Sequence, residues 1–166
     1  MPFTPVLGTL GYVLSYDGRS VLMIHRNARS DDVALGKYNG LGGKIEPGED
    51  AAEGMIREIR EEAGIEVTAM TLRATLSWPG FGRDNESWFA FVFLITGWTG
   101  EPLTANPEGT LEWVSVERIL ANGVPMWEGD RLWLPMVFDA DPRPFHGLEP
   151  YDGLTPLIDQ WRYTRI

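Results

Sequence analysis

The chain alternates short apolar runs with polar, glycine- and proline-marked breaks, and the spacing within each run predicts the element it forms. Residues 7–16, LGTLGYVLSY, and 20–25, SVLMIH, are apolar stretches of strand length. Asp17-Gly18 between them is a hairpin pair, because the central positions of a tight hairpin turn favour residues that tolerate positive φ. Residues 26–37 are polar and mixed and predict a loop. Residues 38–44, YNGLGGK, set Gly40, Gly42 and Gly43 beside Asn39, a run that permits unusual backbone angles. Pro47-Gly48 marks a turn. Asp50 then stands as a helix N-cap, with Glu53 three residues on to complete a capping box. Ala52, Ile56, Ile59 and Ala63 share one apolar helix face, and Gly64 suits the position just past the helix end. Residues 66–78 and 87–98 predict two more strands, joined by PGFGRDNE at 79–86 as a flexible connection. Residues 112–115 predict a short strand and 117–121 one helical turn. A helix is expected over 131–138, capped at Gly129 or Asp130 and kinked or shortened by Pro135. Residues 139–153 predict loop, and 157–163 a final strand.

No repeat, low-complexity tract or linker divides the sequence, so a single domain over 1–166 is expected. The irregular order of strands and helices predicts an α+β fold, an α/β/α sandwich around a mixed β-sheet. The formal net charge of −10 argues against a basic surface for polymeric nucleic acid. A small phosphorylated substrate stays compatible, because a bound metal ion inverts the local sign. The chain has no cysteine, which excludes thiolate catalysis and cysteine-based zinc sites. His25 and His146 form no ligand motif. The N-terminus lacks a basic segment and is broken by Pro2, Pro5, Gly8 and Gly11, unlike a signal peptide. No run reaches the ~18 apolar residues of a membrane span, so no membrane association and a cytoplasmic location are expected. Oligomeric state is not legible.

The chemistry concentrates after Gly43. Six carboxylates fall between Glu49 and Glu62 with only two arginines among them. Glu58, Glu61 and Glu62 lie at i, i+3 and i+4, on one face of the helix. Like charges that close repel, and a hard divalent cation is the usual partner of such oxygen ligands. The competing structural account is a solvated acidic helix with Glu53–Arg57 and Arg57–Glu61 pairs. Gly54, one turn before Glu58, weakens the helix by about 1 kcal/mol against alanine and leaves room for a ligand.

The positions Gly43, Glu49, Arg57, Glu58, Ile59, Glu61, Glu62, Gly64 and Ile65 match, at fixed spacing, the Nudix box. The chain is thereby identified as a member of the Nudix family. The resemblance implies a Nudix fold and hydrolysis of a diphosphate linked to another moiety, with Mg²⁺ or Mn²⁺. It also implies Glu58, Glu61 and Glu62 as metal ligands, joined by the carbonyl of Gly42, with Arg57 and Glu49 pairing to hold loop against helix. One of the glutamates would take the proton of the attacking water.

Outside the box, the chain is most similar to the 8-oxo-dGTP diphosphatases of the mammalian MutT-homologue type. The residues concerned are Tyr38 to Lys44, the pair Glu108 and Trp113, Met126-Trp127, Trp133-Leu134-Pro135 and Phe145-His146-Gly147. The resemblance implies that Asn39 bonds the purine edge, Trp127 stacks on the base and Glu108 binds metal. Gly43, Lys44 and Asp130 complete the substrate-binding candidates. Each has a structural alternative: Asn39-Gly40 as a turn pair, Trp127 as core, Glu108 as a solvated acid, Asp130 as a helix cap. The similar enzymes carry two adjacent aspartates after the tryptophan, whereas here Gly129 holds the first position and Asp130 the second. Glu128, one position earlier, is the candidate replacement. The expected reaction is hydrolysis of a purine nucleoside triphosphate, such as 8-oxo-dGTP, to monophosphate and pyrophosphate. ADP-ribose, a dinucleoside polyphosphate or a nucleotide sugar are the alternative substrates, and a non-catalytic nucleotide-binding module is the alternative role.

Overall fold

In a computed structural model describing residues 1–166, the elements in chain order are β1 (Val6–Leu14), β2 (Ser20–Arg26), β3 (Tyr38–Asn39), β4 (Leu41–Lys44), α1 (Ala51–Ala63), β5 (Glu66–Phe81), β6 (Glu86–Thr99), β7 (Ala105–Asn106), β8 (Gly109–Ser115), α2 (Val116–Leu120), α3 (Asp130–Phe138), β9 (Phe145–Leu148), β10 (Tyr151–Asp152), β11 (Thr155–Pro156) and β12 (Arg162–Arg165). Ten strands form one mixed sheet in the order β12-β9-β5-β6-β1-β2-β8-β7, with β3 added to β2 and β4 to β1. The pairs β1–β6 and β5–β9 are parallel and the others antiparallel. The expected α/β/α sandwich is what forms.

Both faces of the sheet are covered, which explains why β2 reads as an unbroken apolar run rather than an alternating one. Val21 and Met23 point to the α3 side, with Tyr12, Ala74, Leu76, Val92, Trp133, Leu134 and Val137. Leu22 and Ile24 point to the α1 side, with Val13, Leu41, Met55, Ile59, Ala63, Ile65 and Ile95. The predicted face of α1 needs one correction. Met55, Ile59 and Ala63 are its buried apolar residues, while Ala52 and Ile56 are only half-buried. Gly11 of β1 lets Met55 approach, since a Cβ there would lie 2.9 Å from the Met55 sulfur.

Two loop expectations are overturned, each by strand pairing over long range. Residues 79–81 continue β5, and the connection shrinks to the turn around Gly82–Asn85, closed by the Phe81–Glu86 pair. A register shift between Trp78 and Phe81 absorbs Pro79 and Gly80. Within 139–153 lie β9, which inserts between β5 and β12, and β10. The final strand is β12, at Arg162–Arg165, and Ile158–Gln160 is a 3₁₀ turn. Residues 38–44 form β3 and β4, without the unusual backbone angles expected of the glycine run. Gly40, Gly42 and Gly43 have no positive φ; they are glycine for close approach, as a Cβ on Gly42 would overlap the Thr9 carbonyl.

Pro135 does not break α3, whose last carbonyls have another partner. Arg73 of β5, 5% exposed, donates to Val137 O (3.1 Å), Met136 O (3.0 Å) and Asp141 O (2.8 Å), and pairs with Asp139. This guanidinium anchors the C-terminal end of the helix that begins at Asp130. Arg73→Met leaves those buried acceptors unpaired and is expected to lower unfolding stability by about 3 kcal/mol, read as a lower urea midpoint.

Candidate active site

The site is built from β4, α1 and the loop between them. Asp50 caps α1 by accepting Glu53 N–H (2.8 Å), and Glu53 reaches back to the Asp50 N–H (2.9 Å), the full capping box. Glu53 is thus drawn to the cap, not to Arg57. Gly64 ends the helix in the left-handed conformation, φ 69°. Gly54 makes room for a neighbour in the protein itself: a Cβ there would lie 3.1 Å from Glu49 Oε1.

Arg57 is the hub. It grips Glu49 with Nη2 (2.6 Å to Oε1) and Nε (3.0 Å to Oε2), donates to the Lys44 carbonyl (3.1 Å), and touches Glu58 (3.0 Å) and Glu61 (3.3 Å). Its guanidinium, with the Glu46 N–H, holds the Glu49 carboxyl down to a pKa of about 2. Glu58 lies flat against the chain at Gly43, where a Cβ would be 2.5 Å from Oε1. Glu62 Oε2 accepts the Gly42 N–H at 3.0 Å. Glu108, in the β7–β8 turn, pairs with Arg26 (3.3 Å), and its charge raises the pKa of both Glu58 and Glu62. Burial, then Glu108 and Glu58, push Glu62 up to about 8.

Glu58 and Glu62 therefore meet at the Gly42–Gly43 backbone, with Glu108 near enough for its charge to act on both. Glu61 stands at the exposed edge of this group: its charge also raises the Glu58 pKa, while its side chain, 58% exposed, leans on Arg57. No three of the acidic or histidine side chains converge as a ready-made ion cage. The donor set nonetheless fits a hard divalent cation, because the carboxylates raise one another's pKa and a cation among them relieves that repulsion.

Next to this cluster opens a cavity of about 240 Å³. Asn39, Gly42, Gly43, Trp127 and Asp130 line it, and so do Trp78, Phe81, Trp88 and Tyr151, which sequence reasoning missed. Lys44 is not in the wall; its ammonium sits 5.7 Å over the Trp88 ring. Trp127 meets Phe81 edge to face at 5.7 Å and carries the Lys37 ammonium 4.9 Å from its ring centre. Asp130 does not cap α3, whose N-cap is Gly129 without a side-chain bond. Glu128, the candidate replacement acid, is exposed and lies outside the wall. The fully buried acid is Glu149, which follows β9. The Trp-Pro-Gly-Phe run at 78–81 was the available signal for the aromatic wall, and the loop expected over 79–86 concealed it.

The family model for the NUDIX domain matches residues 5–136. The chain is 29% identical over 157 residues to an oxidized purine nucleoside triphosphate hydrolase of Danio rerio, covering 95% of this chain and 94% of that one. It is 41% identical over 56 residues to a CTP pyrophosphohydrolase of Escherichia coli, 34% of this chain and 39% of the other. Among solved structures it resembles a MutT protein from Bacillus halodurans, with a TM-score of 0.79 and 30% identity over 95% of this chain and 97% of that one.

The raised Glu62 carboxyl makes stability depend on pH. Its folded pKa, about 8, exceeds the ordinary 4.5, so the folded state holds a proton that the unfolded state gives up. In chelator-treated buffer, the Glu62 contribution is complete below pH 4.5 and is lost as pH rises through 8. Tm measured across that window should fall less steeply for Glu62→Gln than for the wild type.

Proposed function

This chain belongs to the Nudix family, and from that premise we propose that it hydrolyses purine nucleoside triphosphates to monophosphate and pyrophosphate with Mg²⁺ or Mn²⁺. Oxidised purines such as 8-oxo-dGTP are the preferred substrates in this reading, drawn from the cytoplasmic nucleotide pool. The observation that carries it is the continuity of one cavity from an aromatic end to the strand against which the carboxylates of α1 pack. Trp127, Phe81 and Trp78 suit a planar base, and Gly42 and Gly43 lie where Glu58 and Glu62 crowd the backbone. The similarity to the Danio rerio oxidized purine nucleoside triphosphate hydrolase over nearly the whole chain supports the purine class.

Each residue has a physical task in this proposal. Trp127 offers a stacking face, and Asn39 offers both a donor and an acceptor to the base edge. Gly43 lines the cavity where the diphosphate would bind, and its missing Cβ lets the Glu58 carboxylate lie against the strand there. Glu58, Glu62 and Glu108, with the Gly42 carbonyl, would hold the divalent ion, and Glu61 stands beside them at the exposed rim. Such an ion, when bound, supplies charge neutralisation for the phosphate oxygens and acidifies the attacking water. Glu49 and Arg57 keep Glu58 aimed, and a glutamate of the cluster accepts the water proton.

Purified protein assayed with Mg²⁺ against oxidised and normal nucleotides, ADP-ribose and dinucleoside polyphosphates tests the reading directly. Pyrophosphate and monophosphate from purine triphosphates are expected, and the absence of turnover on any of them would overturn it. Glu62→Gln should abolish turnover. Glu49→Gln, which loosens Arg57, should reduce it by roughly 10–100-fold. Trp127→Ala should raise the KM of the preferred substrate by about tenfold, the loss of one stacking contact.

A further inference from the structure

The sheet carries a second cavity, of about 300 Å³, which shares no lining residue with the one that holds Asn39 and Trp127. Strand register builds it. β5 and β9 set Thr75 beside His146 and Ser77 beside Leu148, and β12 sets Arg162 beside Leu148 and Thr164 beside His146. These alternate residues therefore share one face of the sheet. Ala74, Leu76 and Phe145, which alternate with them, face the core on the α3 side. Phe89, opposite Ser77 on β6, closes one flank. α1 packs on β4 and β1, and no helical residue stands in the wall of this cavity.

The chemistry of this wall runs against that of the chain, which has a net charge of −10 yet places no aspartate or glutamate here. Arg162 is exposed and makes no ion pair, whereas Arg143 and Arg165 nearby in sequence are held by Asp141 and Asp139. Thr75, only 8% exposed, shares a hydrogen bond with His146 Nδ1, which leaves Nε2 as the ring nitrogen free to meet a ligand. The Ser77 and Thr164 hydroxyls have no hydrogen-bond partner within the protein. A guanidinium is a planar fork matched to phosphate oxygens, and hydroxyl and imidazole N–H groups are the donors that complete such a shell. We propose that this cavity is a binding site for a phosphate-bearing anion. Arg162 pairs with the phosphate oxygens, and the Ser77 and Thr164 hydroxyls donate to them. Anion binding selects the histidine form in which Thr75 donates to Nδ1 and Nε2 carries the proton. Phe89 and Leu148 offer an apolar floor for the organic part of a phosphomonoester. A cationic ligand would be repelled by Arg162 and would find no carboxylate. The site stands apart from the carboxylate cluster and does not depend on the reaction proposed there.

The test is titration of the whole chain with phenyl phosphate and with inorganic phosphate, by calorimetry and by NMR. It is run in chelator-treated buffer, so that no divalent ion can carry phosphate to Glu58 and Glu62. Saturable binding is expected, with the His146 and Thr164 resonances among those that shift. Arg162→Met should weaken it by about tenfold, the loss of one charge-assisted contact. Arg162→Lys should fall between the two, because it keeps the charge and loses the fork. Arg162 is exposed, so the unfolding temperature of these variants without ligand should match the wild type. Tighter binding of phenyl phosphate identifies the ligand as a phosphomonoester, and equal binding identifies it as free phosphate; either result supports the site. No binding to the wild type, unchanged affinity in folded Arg162→Met, or resonance shifts confined to the Asn39–Trp127 cavity would overturn the proposal. Each of these leaves the hydrolase reading standing, which is tested by turnover with Mg²⁺ instead.

Discussion

The Arg57 guanidinium is the interaction on which the geometry of the acidic helix depends. Its donors leave a planar fork in fixed directions, and here they reach both oxygens of Glu49, the Lys44 carbonyl, Glu58 and Glu61. That single group ties the Lys44–Glu49 loop to the second turn of α1. The arrangement then imposes two glycines. Gly54 clears the space that Glu49 needs beside the helix, and Gly43 lets Glu58 lie against the strand. A lysine in place of Arg57 would keep the charge but could not hold all these acceptors at once, because its donors radiate from one nitrogen.

Two groups of crowded carboxyls lie along one cavity, and their surroundings give them different outlets for the same repulsion. Glu58, Glu62 and Glu108 stand near Arg26 and Arg57, with the Gly42 N–H bonded to Glu62. That end suits a cation. Asp130 and Glu149 stand among Trp78, Tyr151 and Trp133, where burial dominates and a proton is the simpler remedy. The covering of both sheet faces keeps the ends in register: α1 packs on one side through Met55 and Ile59, and α3 on the other through Trp133 and Val137. Arg73 fixes the far end of α3, so Asp130 is held from behind.

The acidic helix was readable because everything that defines it is local. Asp50, Glu53 and Gly64 act within one or two turns of their partners, and Glu49 lies eight residues from Arg57. The pocket was less readable because its walls come from distant strands. Trp78 and Phe81 were read as a strand end and a loop, since Pro79 and Gly80 ordinarily break structure. Pairing of β5 with β6, and the Phe81–Gly153 bridge, carries the strand through them. Short β9 escaped for a related reason: its four residues form a strand only between β5 and β12.

The sequence by itself determined the sandwich architecture, the helix with its caps, and the family, because apolar periodicity, capping and the spacing of Gly43 to Ile65 are short-range properties. It did not show which carboxyls meet. Glu61, favoured by spacing, turns to Arg57, while Glu108 reaches the cluster from the β7–β8 turn. At the base end, Gly129 looked like the loss of an acid, yet the carboxyl of Glu149 fills that space, twenty residues on. Only the tertiary structure decided that exchange, because the volume that a missing side chain leaves is filled by whatever packing brings against it.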